Sequence, residues 1–380
     1  MRLAPGTEAE LAEAVRAADG PLEIRGGGTR AGLGNPVQAA HTLELGRLSG
    51  IILHEPAALT LVARAGTPLA EIEAALMAEG QMLAFEPMDH RGLYGTGGEP
   101  TIGGVVACNA SGPRRVRAGA CRDYLLGVRF VDGEGRQVKS GGRVMKNVTG
   151  YDLAKLLCGS HGTLGVLTEA AFKVLPRPEA AASLVIGGLP DEVAVAALAA
   201  ALGSPWGVSG AAHLPGDGAR TLVRLEGAAR SVAYRAERLR ERLGTFGSVE
   251  IEGESDWAVV RDAGAFHGRG GAVWRISVKP SDGPRLVAAL RAGGLDFAHF
   301  YDWGGGLVWL RLEEAGDAGA AAIRGALREF GGHATLVRAS GAVRAAVGAF
   351  QPEPGPLAAM ARGLREKFDP RGILNPGRMG

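Results

Sequence analysis

A chain of 380 residues, 46% of them hydrophobic, is long enough for two domains with a sizeable core. Lys+Arg number 42 against 40 Asp+Glu, and a net charge of +2 excludes the one-signed field of a typical nucleic-acid binder. Apolar runs are short and broken by Gly, Arg or Glu, so no membrane span is expected. The first ten residues lack a charged-then-apolar signal pattern, which makes a cytoplasmic location the expectation.

In chain order, Thr7 and Glu10 form a capping box ahead of Leu11 and Val15, predicting a helix over 7–19. A strand over 22–25 runs straight into Gly26-Gly27-Gly28-Thr29. Strands are expected at 41–45 and 59–65. Pro68 then opens a helix that ends before Gly80. Segments 124–131 and 136–139 flank Asp132-Gly133 as a hairpin. A long strand over 165–175 stops at Pro176 and Pro178, a domain boundary. Beyond residue 180 the order strand, helix, strand, strand, helix, strand is expected twice, over 183–252 and 273–337. Each copy reads as a ferredoxin-like βαββαβ unit, predicting an α+β cap on an antiparallel sheet. A last helix over 356–368 precedes a Pro- and Gly-rich tail.

Three glycine-rich segments carry chemistry. The first is Arg25-Gly26-Gly27-Gly28-Thr29-Arg30-Ala31-Gly32-Leu33-Gly34. Without side chains, consecutive backbone N–H groups can turn toward one anion, and a diphosphate is a natural occupant. A Walker loop would need Gly-Lys-Ser/Thr, which is absent. A dinucleotide fingerprint can be forced through Gly26, Gly28 and Ala31, with Glu44 for a ribose. That motif must open a helix, and Gly32, Gly34 and Pro36 oppose one. The second segment runs through Gly95, Gly97, Gly98, Pro100, Thr101, Gly103 and Gly104 to Asn109, Ser111 and Gly112. Here Gly103 and Gly104 allow close approach of a planar ring, while Thr101, Asn109 and Ser111 offer hydrogen bonds. The third joins Lys146, Gly150-Tyr151-Asp152 and Gly159-Ser160-His161-Gly162-Thr163-Leu164-Gly165-Val166. Cys108, Cys121 and Cys158 are far apart in sequence, so they read as isolated buried thiols rather than a zinc or iron–sulfur site.

These segments, with the tail Phe368-Asp369-Pro370-Arg371-Gly372-Ile373-Leu374-Asn375-Pro376-Gly377, resemble the PCMH-type flavoproteins of the vanillyl-alcohol-oxidase class. Within it the pattern is most similar to the FAD-binding subunits of bacterial glycolate oxidases. The resemblance implies a PCMH-type FAD-binding domain of two α+β subdomains over 1–178, the cap over 179–345, and a segment over 346–380 returning to the FAD domain. Carried over by position, Arg25, Gly26, Gly27, Gly28, Thr29, Gly32 and Gly34 belong to the pyrophosphate loop. Pro100, Thr101, Gly103, Gly104, Asn109, Ser111 and Gly112 would lie along the pyrophosphate and flavin. Gly165 and Val166 would lie near the adenine end, and Asn375 would reach the flavin ring. Thr29 falls where covalent relatives place a flavin-linking histidine, so dissociable, noncovalent FAD is expected.

The implied partners are a catalytic FAD subunit and an iron–sulfur subunit, with a small 2-hydroxy acid as substrate and no nucleic acid. Oxidising such an acid needs a base or metal for the hydroxyl proton and a cation for the carboxylate. Catalytic relatives supply these from a His-x-Gly-Asp-Gly-Asn-x-His stretch. Here the corresponding strand reads His299-Phe300-Tyr301-Asp302-Trp303-Gly304-Gly305-Gly306-Leu307-Val308-Trp309, and no metal triad can be assembled, so no catalytic residue is assigned. His299 and His333 read as structural, the tryptophans as core, and Arg114, Arg115, Arg117 and Arg122 as a solvated patch. A self-sufficient 2-hydroxy acid dehydrogenase and a non-catalytic structural subunit remain the alternatives.

Overall fold

A computed structural model describes residues 1–143, 150–253 and 257–380; Lys146 lies outside the described residues. Two compact units emerge. One comprises Met1–Ser111, Gly119–Arg177 and Pro352–Gly380; the other comprises Gly112–Ala118 and Pro178–Gln351.

The first unit holds two small α+β layers. Strands β1 (Arg2–Leu3), β2 (Leu22–Arg25) and β3 (His41–Glu44) form a parallel sheet in the order β1-β3-β2. The Glu8–Ala17 helix buries Leu11, Ala12 and Val15, and Thr7 caps it by accepting the Glu10 N–H, as the capping pattern predicts. Strands β4 (Ile51–Glu55), β5 (Thr60–Arg64), β7 (Leu125–Val131), β8 (Gln137–Gly141) and β9 (Val166–Lys173) form an antiparallel sheet in the order β4-β5-β9-β7-β8. β6 (Gln81–Met82) pairs with β10 (Leu175–Pro176). β4 was not expected from sequence. It is a half-exposed edge strand, so its apolar alternation is weak. The residue 26–36 stretch forms turns and no helix, as its glycines and Pro36 dictate.

The tail is tied back to β2. Leu22 donates its N–H to the Ile373 carbonyl, and Asn375 donates its N–H to the Leu22 carbonyl, at 2.7 and 2.9 Å. Leu374 bridges Leu22 in parallel, with Ile373 and Leu374 buried beside Leu11 and Leu43.

The second unit carries an eight-stranded antiparallel sheet made of β11 (Ala180–Gly187), β12 (Val208–Leu214), β13 (Arg220–Gly227), β14 (Val249–Glu252), β15 (Ala272–Ser277), β16 (Ala298–Asp302), β17 (Leu307–Leu312) and β18 (His333–Arg338). Its order is β14-β11-β13-β12-β16-β17-β15-β18. The two ferredoxin-like copies are therefore mirrored in strand order and meet where β12 pairs with β16 at His213 and Tyr301. Helices Asp191–Leu202 and Ala229–Leu243 cover the first copy, and Gly283–Ala292 and Ala320–Phe330 the second. The fold is α+β, with the duplicated βαββαβ cap that the repeated pattern predicts.

Candidate functional site

A cleft in the first unit encloses about 870 Å³ of atom-free space, its solvent mouth included. It is lined by Arg25 at the end of β2 and the loop after it (Gly26, Gly27, Gly28, Thr29 and Arg30), by Thr101, Gly103 and Gly104, and by Cys108 on the same short helix. His161, Gly162, Gly165, Asn375 and Arg378 complete it.

The two glycine segments touch backbone to backbone. An added Cβ on Gly27 would lie 1.7 Å from the Glu99 carbonyl oxygen, and one on Gly26 would lie 2.2 Å from Thr101 Oγ1. Thr101 itself caps the Ile102–Cys108 helix, accepting the Gly104 N–H. Gly103 packs that helix on the end of β5, donating its N–H to the Ala65 carbonyl at 2.8 Å. Gly28 differs from its neighbours. It has φ +74°, and nothing stands within 4 Å of where its Cβ would point.

The donor inventory of this loop decides what it suits. Among the described residues, the N–H groups of Gly26, Gly27, Gly28, Thr29 and Arg30 donate to no protein acceptor. Five consecutive main-chain donors without a protein acceptor line the cleft wall, and such a run is suited to an anion. Charge agrees. The lining carries Arg25, Arg30 and Arg378 and one acid, Glu23, which accepts from Arg25 at 2.7 Å and from Arg378 at 3.4 Å, while Arg30 donates to His90 Nδ1 and the Met88 carbonyl. The lining thus keeps a surplus of two positive charges, matching the charge of a diphosphate. Burial, then the nearby Arg378 guanidinium, push His161 down to about 4, so its imidazole is neutral at physiological pH. The residues present fit FAD.

Not every residue singled out from sequence reaches the cleft. Gly32 lets the Tyr94 ring approach, and Gly34 packs on Arg378. The Pro100 carbonyl accepts the Leu69 N–H. Asn109 Oδ1 accepts the Arg122 N–H, and Ser111 Oγ accepts the Cys121 N–H, which turns both side chains toward their own loop. The Gly112 carbonyl accepts from Trp303 Nε1 within the second unit, and Val166 is buried in β9. Asn375 lines the cleft and clasps it. Its Oδ1 accepts the Ile24 N–H, and its Nδ2 donates to the His161 carbonyl, both at 2.8 Å. Arg30, Cys108 and Arg378 were not assigned a role from sequence, because a cation or thiol beside a glycine run carries no periodic signal. A cation at the end of the Asn-Pro-Gly tail was the available clue.

Two readings are corrected. The cysteines are not isolated: the Cys121 and Cys158 thiols meet, Cys108 lies close by, and burial first, then Cys158, push the Cys121 thiol well up. The arginine run is a solvated face only in part: Arg117 and Arg122 are exposed, but Arg114 and Arg115 are engaged. Arg114 forms a two-pronged pair with Glu226, at 2.6 Å at its closest, and Arg115 stacks on Trp303. Among the described residues no group of three acids, histidines or cysteines could hold a metal, and no helix is long and apolar enough to cross a membrane.

Comparisons with known proteins agree with this geometry. Residues 1–141 match the FAD binding domain family. The glycolate oxidase subunit GlcE of Escherichia coli is 40% identical over 360 residues, covering 94% of this chain and 92% of that one. The chain belongs to the GlcE family of glycolate oxidase subunits. It is an FAD-dependent oxidoreductase. The glycolate oxidase subunit GlcD of Bacillus subtilis is 32% identical over 166 residues, which span 43% of this chain but only 34% of that protein. A 4-ethylphenol oxidase from Gulosibacter chungangensis shares the fold over the whole chain and 88% of its own, with a TM-score of 0.73 at 14% identity. The fold is the PCMH-type FAD-binding fold.

Proposed function

We propose that this chain is the FAD-carrying subunit of a glycolate oxidase complex. In this reading it holds FAD noncovalently in the first-unit cleft and passes electrons from glycolate oxidation through the flavin to an iron–sulfur partner. The observation that carries the cofactor part is the run of five open main-chain donors beside a two-charge positive surplus. Arg25, Gly26, Gly27, Gly28 and Thr29 would hold the diphosphate, with Arg30 and Arg378 supplying countercharge. Thr101, Gly103 and Gly104 would flank the flavin, Gly165 the adenine end, and Asn375 would fix the tail against the ring. Gly32, Gly34, Pro100, Asn109, Ser111, Gly112 and Val166 then act as the support of these loops.

Bound FAD supplies two-electron oxidation. The chain's own contribution is to bind and orient it and to keep neutral His161 in the cleft wall. Thr29 offers no ring nitrogen for a flavin bond, which supports dissociable cofactor. The relatives named as subunits support a multi-subunit enzyme, with a catalytic FAD subunit and an iron–sulfur subunit as its other members.

The test is spectroscopic. The purified chain should show a flavin band near ~450 nm, release all of its flavin into the supernatant on acid precipitation, and bleach with glycolate only when the catalytic subunit is present. A chain that stays colourless with added FAD would remove the cofactor reading. Bleaching by glycolate in the isolated chain would make it a self-sufficient dehydrogenase.

A further inference from the structure

The cap sheet has two different faces. Tyr301, Val308, Leu310, Trp274, Ile276, Ala334 and Leu336 face the helices in one apolar cluster. The opposite face of the second copy carries a row in register across four strands, Phe300, Trp309, Arg275 and Thr335, with Asp302, Leu307, Ser277 and His333 as the next row. Phe300 and Trp309 stack with rings 6.0 Å apart and 11° from parallel. Beside them the guanidinium groups of Arg275 and Arg115 both stack on the Trp303 ring, 4.9 and 4.8 Å from its centre.

The first copy provides an internal comparison. There Arg224 stacks on Trp257 at 4.5 Å and also lies 3.6 Å from the Glu226 carboxylate, which takes Arg114 as well. Charge in that copy is answered from within the chain. Arg275 has the aromatic partner but no hydrogen-bond acceptor among the described residues, and one carboxylate, that of Asp302, acts on it by charge alone. The acid facing it, Asp302, accepts the Trp303 N–H at 2.7 Å. His333 stands near the same pair at the start of β18. Burial, then Arg115, push Arg275 down to about 10, and burial, then Arg275, lower His333. Two cations crowded on one indole against the single charge of Asp302, one of them without a hydrogen-bond acceptor, leave a positive surplus that favours a second anion in their midst.

We propose that Arg275, Arg115 and Trp303, with Thr335 alongside, form a binding site for a small carboxylate. The planar fork of Arg275 suits two parallel N–H···O bonds to a carboxylate, the Thr335 hydroxyl adds a donor, and Trp309 provides an apolar floor for the carbon chain. Choosing a 2-hydroxy acid as the ligand rests on the proposed function; the carboxylate site itself does not.

The experiment titrates the full chain, with and without FAD, against glycolate, oxalate, ethylene glycol and sulfate in low-chloride buffer, reading tryptophan fluorescence. Glycolate and oxalate give a saturable change, while ethylene glycol gives none and sulfate a much weaker one. Arg275→Met weakens both acids by about tenfold or more, and Arg275→Lys weakens them less. No saturable response to either acid, a sulfate response as strong as oxalate, or undiminished affinity in Arg275→Met overturns the site. Should Arg275→Met fail to fold, Arg275→Lys and the wild-type controls decide. Protein that takes up no FAD still reports carboxylate binding, so the two readings fail separately.

Discussion

Gly27 and Gly28 are adjacent, yet each is glycine for its own reason. At Gly27 the Glu99 carbonyl occupies the space of a side chain, whereas at Gly28 only the positive φ asks for glycine. Gly27→Ala forces two backbones apart and should cost about 3 kcal/mol or more of stability, with loss of FAD retention. Gly28→Ala should cost about 1 kcal/mol and fold normally, weakening FAD through the reshaped loop. Thermal unfolding with and without FAD separates them; equal losses would contradict this assignment. The glycine runs were legible as turns with bare main-chain donors because the pattern itself removes side chains. What the run could not convey is which glycines face a ligand and which face another strand. Gly26, Gly27 and Gly103 are spent largely on chain-to-chain packing, and Asn109 and Ser111 on their own loop.

At the scale of elements, the tail is a clasp. One Asn375 side chain satisfies the Ile24 N–H and the His161 carbonyl from a backbone at φ +45°, a conformation asparagine tolerates. Asn375→Ala leaves both groups without that partner and should cost about 2 kcal/mol, with faster FAD dissociation. Stopped-flow flavin release checks the second part, and a release rate like wild type would exclude the clasp. Most elements were legible because apolar periodicity and caps agreed, as at Thr7 and at the Asp191–Leu202 helix. β4 was not, since an edge strand with one wet face shows little contrast. The tail's docking could not be read from periodicity, because its partner β2 lies some 350 positions away.

At the scale of the whole molecule, the duplication was readable from element order, whereas the seam between copies was not. Asp191 links them. Its Oδ2 accepts from His299 Nε2 at 2.7 Å and from the Tyr301 hydroxyl at 2.8 Å, and its Oδ1 lies 3.4 Å from buried His213 Nε2. Burial opposes the charge, but the surrounding histidines and Tyr301 outweigh it and hold Asp191 far below the ordinary carboxylate range. A depressed folded-state pKa adds stability that is present above the unfolded value and is lost as pH falls through the folded one. Wild type should therefore exceed Asp191→Asn by roughly 2–4 kcal/mol at pH 7, with the gap narrowing once pH drops below about 4. Urea unfolding across pH checks this; a gap independent of pH would show that the carboxylate's charge plays no part.

In the proposed function, bare main-chain amides in the first-unit cleft grip a diphosphate with its flavin. A crystal structure of the chain with FAD measures this most directly. The diphosphate is expected against the N–H groups of Gly26, Gly27, Gly28 and Thr29, within reach of Arg378, with no bond from Thr29 to the flavin. FAD seated elsewhere, or those amides turned toward protein acceptors in the complex, would contradict this.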